Sequence, residues 1–87
     1  ALLADPPRRG TGRALLGEAM GAAPGRLWLV TTNDNLDALG FYQAMGFRLA
    51  RLHAGAVAAD RALKPEMPER GAHGLPIRDY LELDWHP

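Results

Sequence analysis

The chain has 87 residues, ten Lys and Arg against ten Asp and Glu, and no cysteine. This excludes a disulfide scaffold, a zinc ribbon and a thiol nucleophile. The neutral balance also argues against a nucleic-acid binder or a polybasic membrane anchor, which need a cationic surplus to meet phosphates. No apolar run approaches the roughly 18 residues of a membrane span. A chain this short hides only roughly 60–65% of its unfolded surface. It is therefore expected to form one small domain that either folds marginally alone or leans on a partner or on further sequence.

The opening Ala1-Leu2-Leu3-Ala4 is apolar and has no Met, signal-peptide pattern or polar lead-in. It predicts a strand over 1–4, entered partway, and the lack of a targeting pattern points to the cytoplasm. Asp5-Pro6-Pro7 stops that strand by removing backbone donors. Arg8-Arg9-Gly10-Thr11-Gly12 follows as a glycine-rich turn over 8–12. A helix is predicted over 13–23, with Leu15, Leu16, Ala19, Met20 and Ala23 at three- and four-residue steps. Gly17 and Gly21, four apart on one face, suggest close approach of another backbone. Ala23-Pro24-Gly25 ends the helix.

The run over 26–32 reads as a buried strand, with Trp28 in the core. Asn33-Asp34-Asn35 offers capping side chains for a helix over 35–45, which Gly46 stops by tolerating positive φ. Another strand is predicted over 47–53, then a short helix or turn from Gly55 to Leu63. An irregular loop, rich in proline and glycine, spans 64–78. Over 79–85, Tyr80, Glu82 and Asp84 alternate with Leu81, Leu83 and Trp85, the period of a half-buried strand. Asp79, Glu82 and Asp84 read as its solvated face and Trp85 as core. Together these elements predict an α/β fold, a sheet with helices on both faces. The first three strands run parallel through helical crossovers, and the last two pair as an antiparallel hairpin.

A strand leading through Arg-Gly-Thr-Gly into a helix outlines an anion site. Helix N-termini expose unpaired N–H groups, and glycine lets a phosphate approach the backbone. The turn is no P-loop, since no Lys follows Gly12, and no Rossmann fingerprint, since Leu15 stands where a third glycine belongs. An ordinary strand-to-helix turn with surface arginines is the alternative. His53, His73 and His86 lack the spacing of a metal site and are expected at the surface.

The segment Asn35-Leu36-Asp37-Ala38-Leu39-Gly40-Phe41-Tyr42-Gln43-Ala44-Met45-Gly46-Phe47 resembles a motif of the GCN5-related N-acetyltransferases, Asn-x-x-Ala-x-x-Phe-Tyr-x-x-x-Gly-Phe. Asn35, Ala38, Phe41, Tyr42, Gly46 and Phe47 match every fixed position. Gly10-Thr11-Gly12 is similar to the Gly-x-Gly of that family's pyrophosphate turn, although Pro7 stands where the family has Gln or Arg. The stretches Leu63-Lys64-Pro65-Glu66 and Gly74-Leu75-Pro76-Ile77-Arg78-Asp79 resemble tails of some bacterial members. The resemblance covers nearly all of this chain but only the second half of the family's domain.

The resemblance implies an acetyl-CoA-dependent N-acetyltransferase, or its cofactor-binding half, with an amine acceptor and no metal. It implies that the turn amides of Arg9, Gly10, Thr11, Gly12, Arg13 and Ala14 hold the pyrophosphate. A backbone N–H within the first strand, at Leu3 or Ala4, would serve the oxyanion, and Asn35 the pantetheine arm. Tyr42 would be the acid that protonates the leaving thiolate, since a phenol of pKa about 10 stays protonated at neutral pH. By their own spacing, Tyr42 reads equally as a core aromatic and Asn35 as a plain helix cap. Two other readings stand beside the enzyme. One is a non-catalytic remnant that associates through its strand edge, as a homodimer or with a complementing N-terminal half. The other is a nucleotide-phosphate binder of another class.

Overall fold

The computed structural model describes residues 2–3 and 9–87, with side chains described from residue 14 onward. Ala4 and the turn residue Arg8 lie outside the described residues. The elements are β1 (Leu2–Leu3), α1 (Arg9–Ala22), β2 (Leu27–Thr32), α2 (Leu36–Ala44), β3 (Arg48–His53), α3 (Val57–Leu63) and β4 (Tyr80–Trp85), with one 3₁₀ turn at Ala72–Gly74.

The sheet order is β1-β2-β4-β3. β1 runs parallel to β2, and β4 is antiparallel to both β2 and β3. β2 and β3 therefore point the same way, but they are not neighbours. The crossover through α2 leaves a gap one strand wide, and β4 returns into it. The last two strands do form an antiparallel pair with a long connection.

Alternation along the strands separates the two faces. Leu27, Leu29 and Thr31 are buried while Trp28, Val30 and Thr32 are half-buried. Leu83 lies opposite Leu29 and is wholly buried. Leu16 of α1 and Ala38 and Tyr42 of α2 pack on this side with Phe47, and Met20 and Trp85 join the rim. Trp28 is opposite Asp84, on the other face, so it is not a core residue as the sequence suggested. The period-two pleat sends neighbours 28 and 29 to opposite sides. Asp60 of α3 reaches Tyr80 on that second face, accepting from its hydroxyl at 2.5 Å.

Four sequence expectations need correction. α1 starts at Arg9, so Gly10, Thr11 and Gly12 lie in its first turn rather than in a turn before a helix at 13. Glycine is tolerated there because first-turn N–H groups have no intrahelical acceptor to lose. Leu15 is exposed while Leu16 is buried, which rotates the apolar stripe off Leu15. Among the described residues, nothing lies within 4 Å of a Cβ built at Gly17 or Gly21, so the expected close backbone is not among them. Finally, Glu82 and Asp84 are not a freely solvated face. Their side chains are 14% and 23% exposed, and Arg26 bridges them at 3.3 and 2.6 Å. His53 adds a contact to Glu82 at 3.3 Å.

α2 ends in a complete Schellman motif. Phe47 N–H donates to Tyr42 O at 2.9 Å and Gly46 N–H to Gln43 O at 3.0 Å, with Gly46 at φ 107°. That left-handed backbone favours glycine, and the motif turns the chain into β3. A Cβ at Gly46 would lie 3.5 Å from the Trp85 ring, an ordinary contact, so the dihedral rather than crowding selects glycine.

Candidate functional site

The site lies at the C-terminal end of β1 and β2. Two parallel strands both lead into helices there, so the N-termini of α1 and α2 gather at one end of the sheet. Ligands of α/β sheets bind at this end because unpaired helix N–H groups face it.

Toward β4, β2 pairs through all six residues, from Leu27 opposite Trp85 to Thr32 opposite Tyr80. Toward β1, the described pairing places Leu2 opposite Trp28 and Leu3 opposite Leu29.

Leu3 sits in β1 at the last described paired position. Arg9, Gly10, Thr11, Gly12 and Arg13 form the start of α1, and Ala14 follows as an exposed residue. The first N–H groups of any helix lack intrahelical acceptors. These residues therefore belong to a helix start and not to the glycine loop expected from the sequence.

Asn35 is the N-cap of α2. Its Oδ1 accepts from Ala38 N–H at a long 3.4 Å, and its Nδ2 donates to Thr31 Oγ1 at 3.1 Å. Thr31 is buried and points to the helix-covered face. Asn35 is therefore tied to the C-terminal half of β2. Tyr42, seven residues along, is 1% exposed. Its ring meets Phe41 edge-on and Phe47 at a tilt, both at centroid distances of 5.7 Å. The sequence left Tyr42 as either core aromatic or acid; the structure places its ring in the core next to Leu29.

Two features escaped the sequence reading. Asn33 binds the 64–78 segment through every polar group it has for the purpose. Its Nδ2 donates to Pro76 O at 2.8 Å, and its Oδ1 accepts from the N–H groups of Arg78 and Asp79 at 3.0 Å each. Asp34, 7% exposed, accepts from Ala72 N–H through Oδ2 at 2.9 Å. The expected irregular loop is thus an ordered tongue. Within it Arg70 bridges Pro76 and Ile77 N–H donates to Glu69 O at 2.8 Å. Arg61 of α3 holds its base, donating to Pro68 O at 2.9 Å and Ile77 O at 2.8 Å. Proline and glycine removed helix and strand as options, but side-chain clamps replaced them. The signal present in the sequence was the polar run Thr31 to Asn35, longer than one helix cap needs.

His53, His73 and His86 are all exposed. His73 lies at the tip of the tongue with φ 60°, and its Nε2 is 3.7 Å from Asp37 Oδ1. Among the described residues no helix is long and apolar enough to cross a membrane.

Comparison with known proteins bears on the same residues. The model of the acetyltransferase (GNAT) family matches residues 2–47. The uncharacterized protein YxbD of Bacillus subtilis (strain 168) is 47% identical over 79 residues, covering 86% of this chain and 50% of that protein. YdhI of the same organism, also uncharacterized, is 44% identical over 77 residues, covering 84% of this chain and 48% of its own length. Among solved structures, the IAA acetyltransferase from Bacillus cereus ATCC 14579 superposes with a TM-score of 0.72 at 26% identity. The overlap covers 90% of this chain and 51% of that one. The chain spans about half the length of each of these proteins.

Proposed function

Because the chain belongs to the GNAT acetyltransferase family, we propose that it carries the acetyl-CoA-binding side of an N-acetyltransferase that acts on an amine. The observation that supports this reading is the topology: parallel β1 and β2 each lead into a helix, so the N-termini of α1 and α2 lie toward the same end of the sheet. The pyrophosphate fits the first turn of α1, and the thioester arm fits the C-terminal ends of the two strands.

Acetyl-CoA supplies the acetyl thioester; this chain's groups bind and polarise it. The free N–H groups at Arg9, Gly10 and Thr11 hold the pyrophosphate, and the partial positive charge of the helix end adds to the attraction. Gly12 gives that turn its clearance. A backbone N–H of β1, at Leu3 or Ala4, donates to the carbonyl oxygen as negative charge grows on it. A fixed donor of this type is commonly worth about 3–4 kcal/mol in the transition state. Asn35 would hold the pantetheine arm at the C-terminal end of β2. The amine nitrogen would bond to the acetyl carbon and lose a proton to solvent; as the carbon–sulfur bond breaks, Tyr42 would give its phenolic proton to the sulfur and recover one from solvent.

The test is thiol release from acetyl-CoA, followed with a panel of primary amines, by the protein that carries this chain and by its Tyr42→Phe variant. Amine-dependent release that falls about 10²-fold in the variant, at unchanged acetyl-CoA affinity, supports the reading. Equal turnover would return Tyr42 to a purely packing role. The absence of any acetyl-CoA binding at millimolar concentration would end the enzymatic proposal and favour the association module.

A further inference from the structure

The cap of α2 is weak by its own geometry. Asn35 Oδ1 is 3.4 Å from Ala38 N–H, near the limit of a hydrogen bond. The helix it starts has only nine residues. The turn ahead of it is nevertheless held hard, and what holds it is the tongue from the far end of the chain. Asp34 is 93% buried against residue contacts there, with Oδ2 on Ala72 N–H at 2.9 Å. Its other oxygen, Oδ1, is buried without a hydrogen-bond partner among the described residues. A buried carboxylate so placed is costly unless something requires it.

Gly71 is shaped to the same carboxylate. A Cβ there would overlap Asp34 Oδ2 and come within 2.8 Å of Asp34 Cγ and of Ile77 Cδ1. Both neighbours are buried side chains, and Asp34 is hydrogen-bonded as well, so neither yields easily. Asn33 adds three further bonds from the adjacent position. The β2–α2 turn and the tongue are therefore one rigid body. The next residue along the turn is Asn35, whose backbone N–H donates to Thr32 O at 3.1 Å, while Leu36 N–H donates to Asp34 O at 2.9 Å.

We propose that Asp34, locked against Gly71 and Ala72, is a positioning residue that aims Asn35 at the pantetheine arm of the coenzyme. It touches no substrate itself and acts through the turn. The inference rests on the acetyl-CoA reading above. Its consequence is selective: loosening the turn weakens the grip on the arm but not on the pyrophosphate, which belongs to α1, a separate element.

Calorimetry with two probes separates these terms. Acetyl-CoA carries both halves of the ligand; 3′-phospho-ADP carries the nucleotide and pyrophosphate without the arm. Asp34→Ala is expected to weaken acetyl-CoA about tenfold while 3′-phospho-ADP changes less than twofold. Asp34→Asn retains an oxygen for Ala72 N–H and is expected to stay within threefold for both. Unchanged acetyl-CoA affinity in a folded Asp34→Ala protein overturns the proposal, and so does an equal loss for both probes, which would mean a general role in stability. Should Asp34→Ala not fold, amide exchange on the unsubstituted protein decides. Binding and positioning are reciprocal, so acetyl-CoA should slow exchange at Ala72 N–H tenfold or more while 3′-phospho-ADP leaves it unaltered. Equal effects of the two probes at Ala72 would contradict the proposal. Failure of the unsubstituted protein to bind acetyl-CoA at all would instead remove the reading on which it rests.

Discussion

The two edges of β2 have different neighbours. On the β4 side, six antiparallel residue pairs close the sheet, and Leu29 and Leu83 face each other with no exposed surface. On the β1 side the neighbour is parallel, with Leu2 opposite Trp28 and Leu3 opposite Leu29. The β4 edge is where folding energy collects, through buried apolar area and a six-residue hydrogen-bond ladder. The β1 edge joins the two strands that lead into α1 and α2, and it is there that the proposed coenzyme site lies.

Substitution at each edge should therefore fail in a different observable. The largest effect belongs to the closed edge. Leu83→Ala removes a wholly buried side chain and should cost about 3–5 kcal/mol in denaturant unfolding; a loss under about 1 kcal/mol would mean the two ladders are not the core. On the ligand side, Tyr42→Phe, which keeps the buried ring, should lower turnover about 10²-fold, about 2.7 kcal/mol of barrier. Gly12→Asp, in the first turn of α1, should weaken acetyl-CoA binding about tenfold, because a carboxylate would stand beside the pyrophosphate. Unchanged affinity would remove that turn from the site. A variant that lost stability and affinity together at either edge would blur the comparison.

The smallest effect tests the outer face of the closed region. The Tyr80 hydroxyl donates to Asp60 at 2.5 Å. That bond, together with desolvation, raises its pKa above the ordinary value of 10.0. A raised folded value stabilises the protein fully below the unfolded pKa and loses that contribution as pH rises through the folded one. Thermal stability should therefore decline above about pH 10, and Tyr80→Phe should flatten this step. A variant retaining the same step would assign it to other groups.

Much of this division was legible in the sequence. Alternation marked β4, the motif from Asn35 to Phe47 marked α2 and its glycine stop, and the Gly-Thr-Gly stretch marked the start of α1. What escaped notice depended on contacts across long separations. The insertion of β4 between β2 and β3 has no local signature, since each strand's own pattern is satisfied by any neighbour. The tongue was read as irregular because proline and glycine suppress regular elements. Its order comes from Asn33, Asp34 and Arg61, all distant in the chain, binding its backbone. The start of α1 was placed late because glycine was weighed as a helix breaker, which holds in a helix interior and not in its first turn. Tyr42 illustrates the remaining ambiguity. Its spacing matched both a core aromatic and an acid, and a phenol whose ring lies in the core while serving a cleft satisfies both patterns.

The central claim is that the C-terminal ends of β1 and β2, with the start of α1, receive acetyl-CoA. A chemical-shift map of the amides during titration with acetyl-CoA tests it most directly. The account predicts the largest changes at Leu3, at the first-turn residues Arg9 to Gly12 and along Val30 to Asn35, with Arg48 to His53 of β3 unmoved. Changes centred on β3 and β4, or none at millimolar acetyl-CoA, would contradict it.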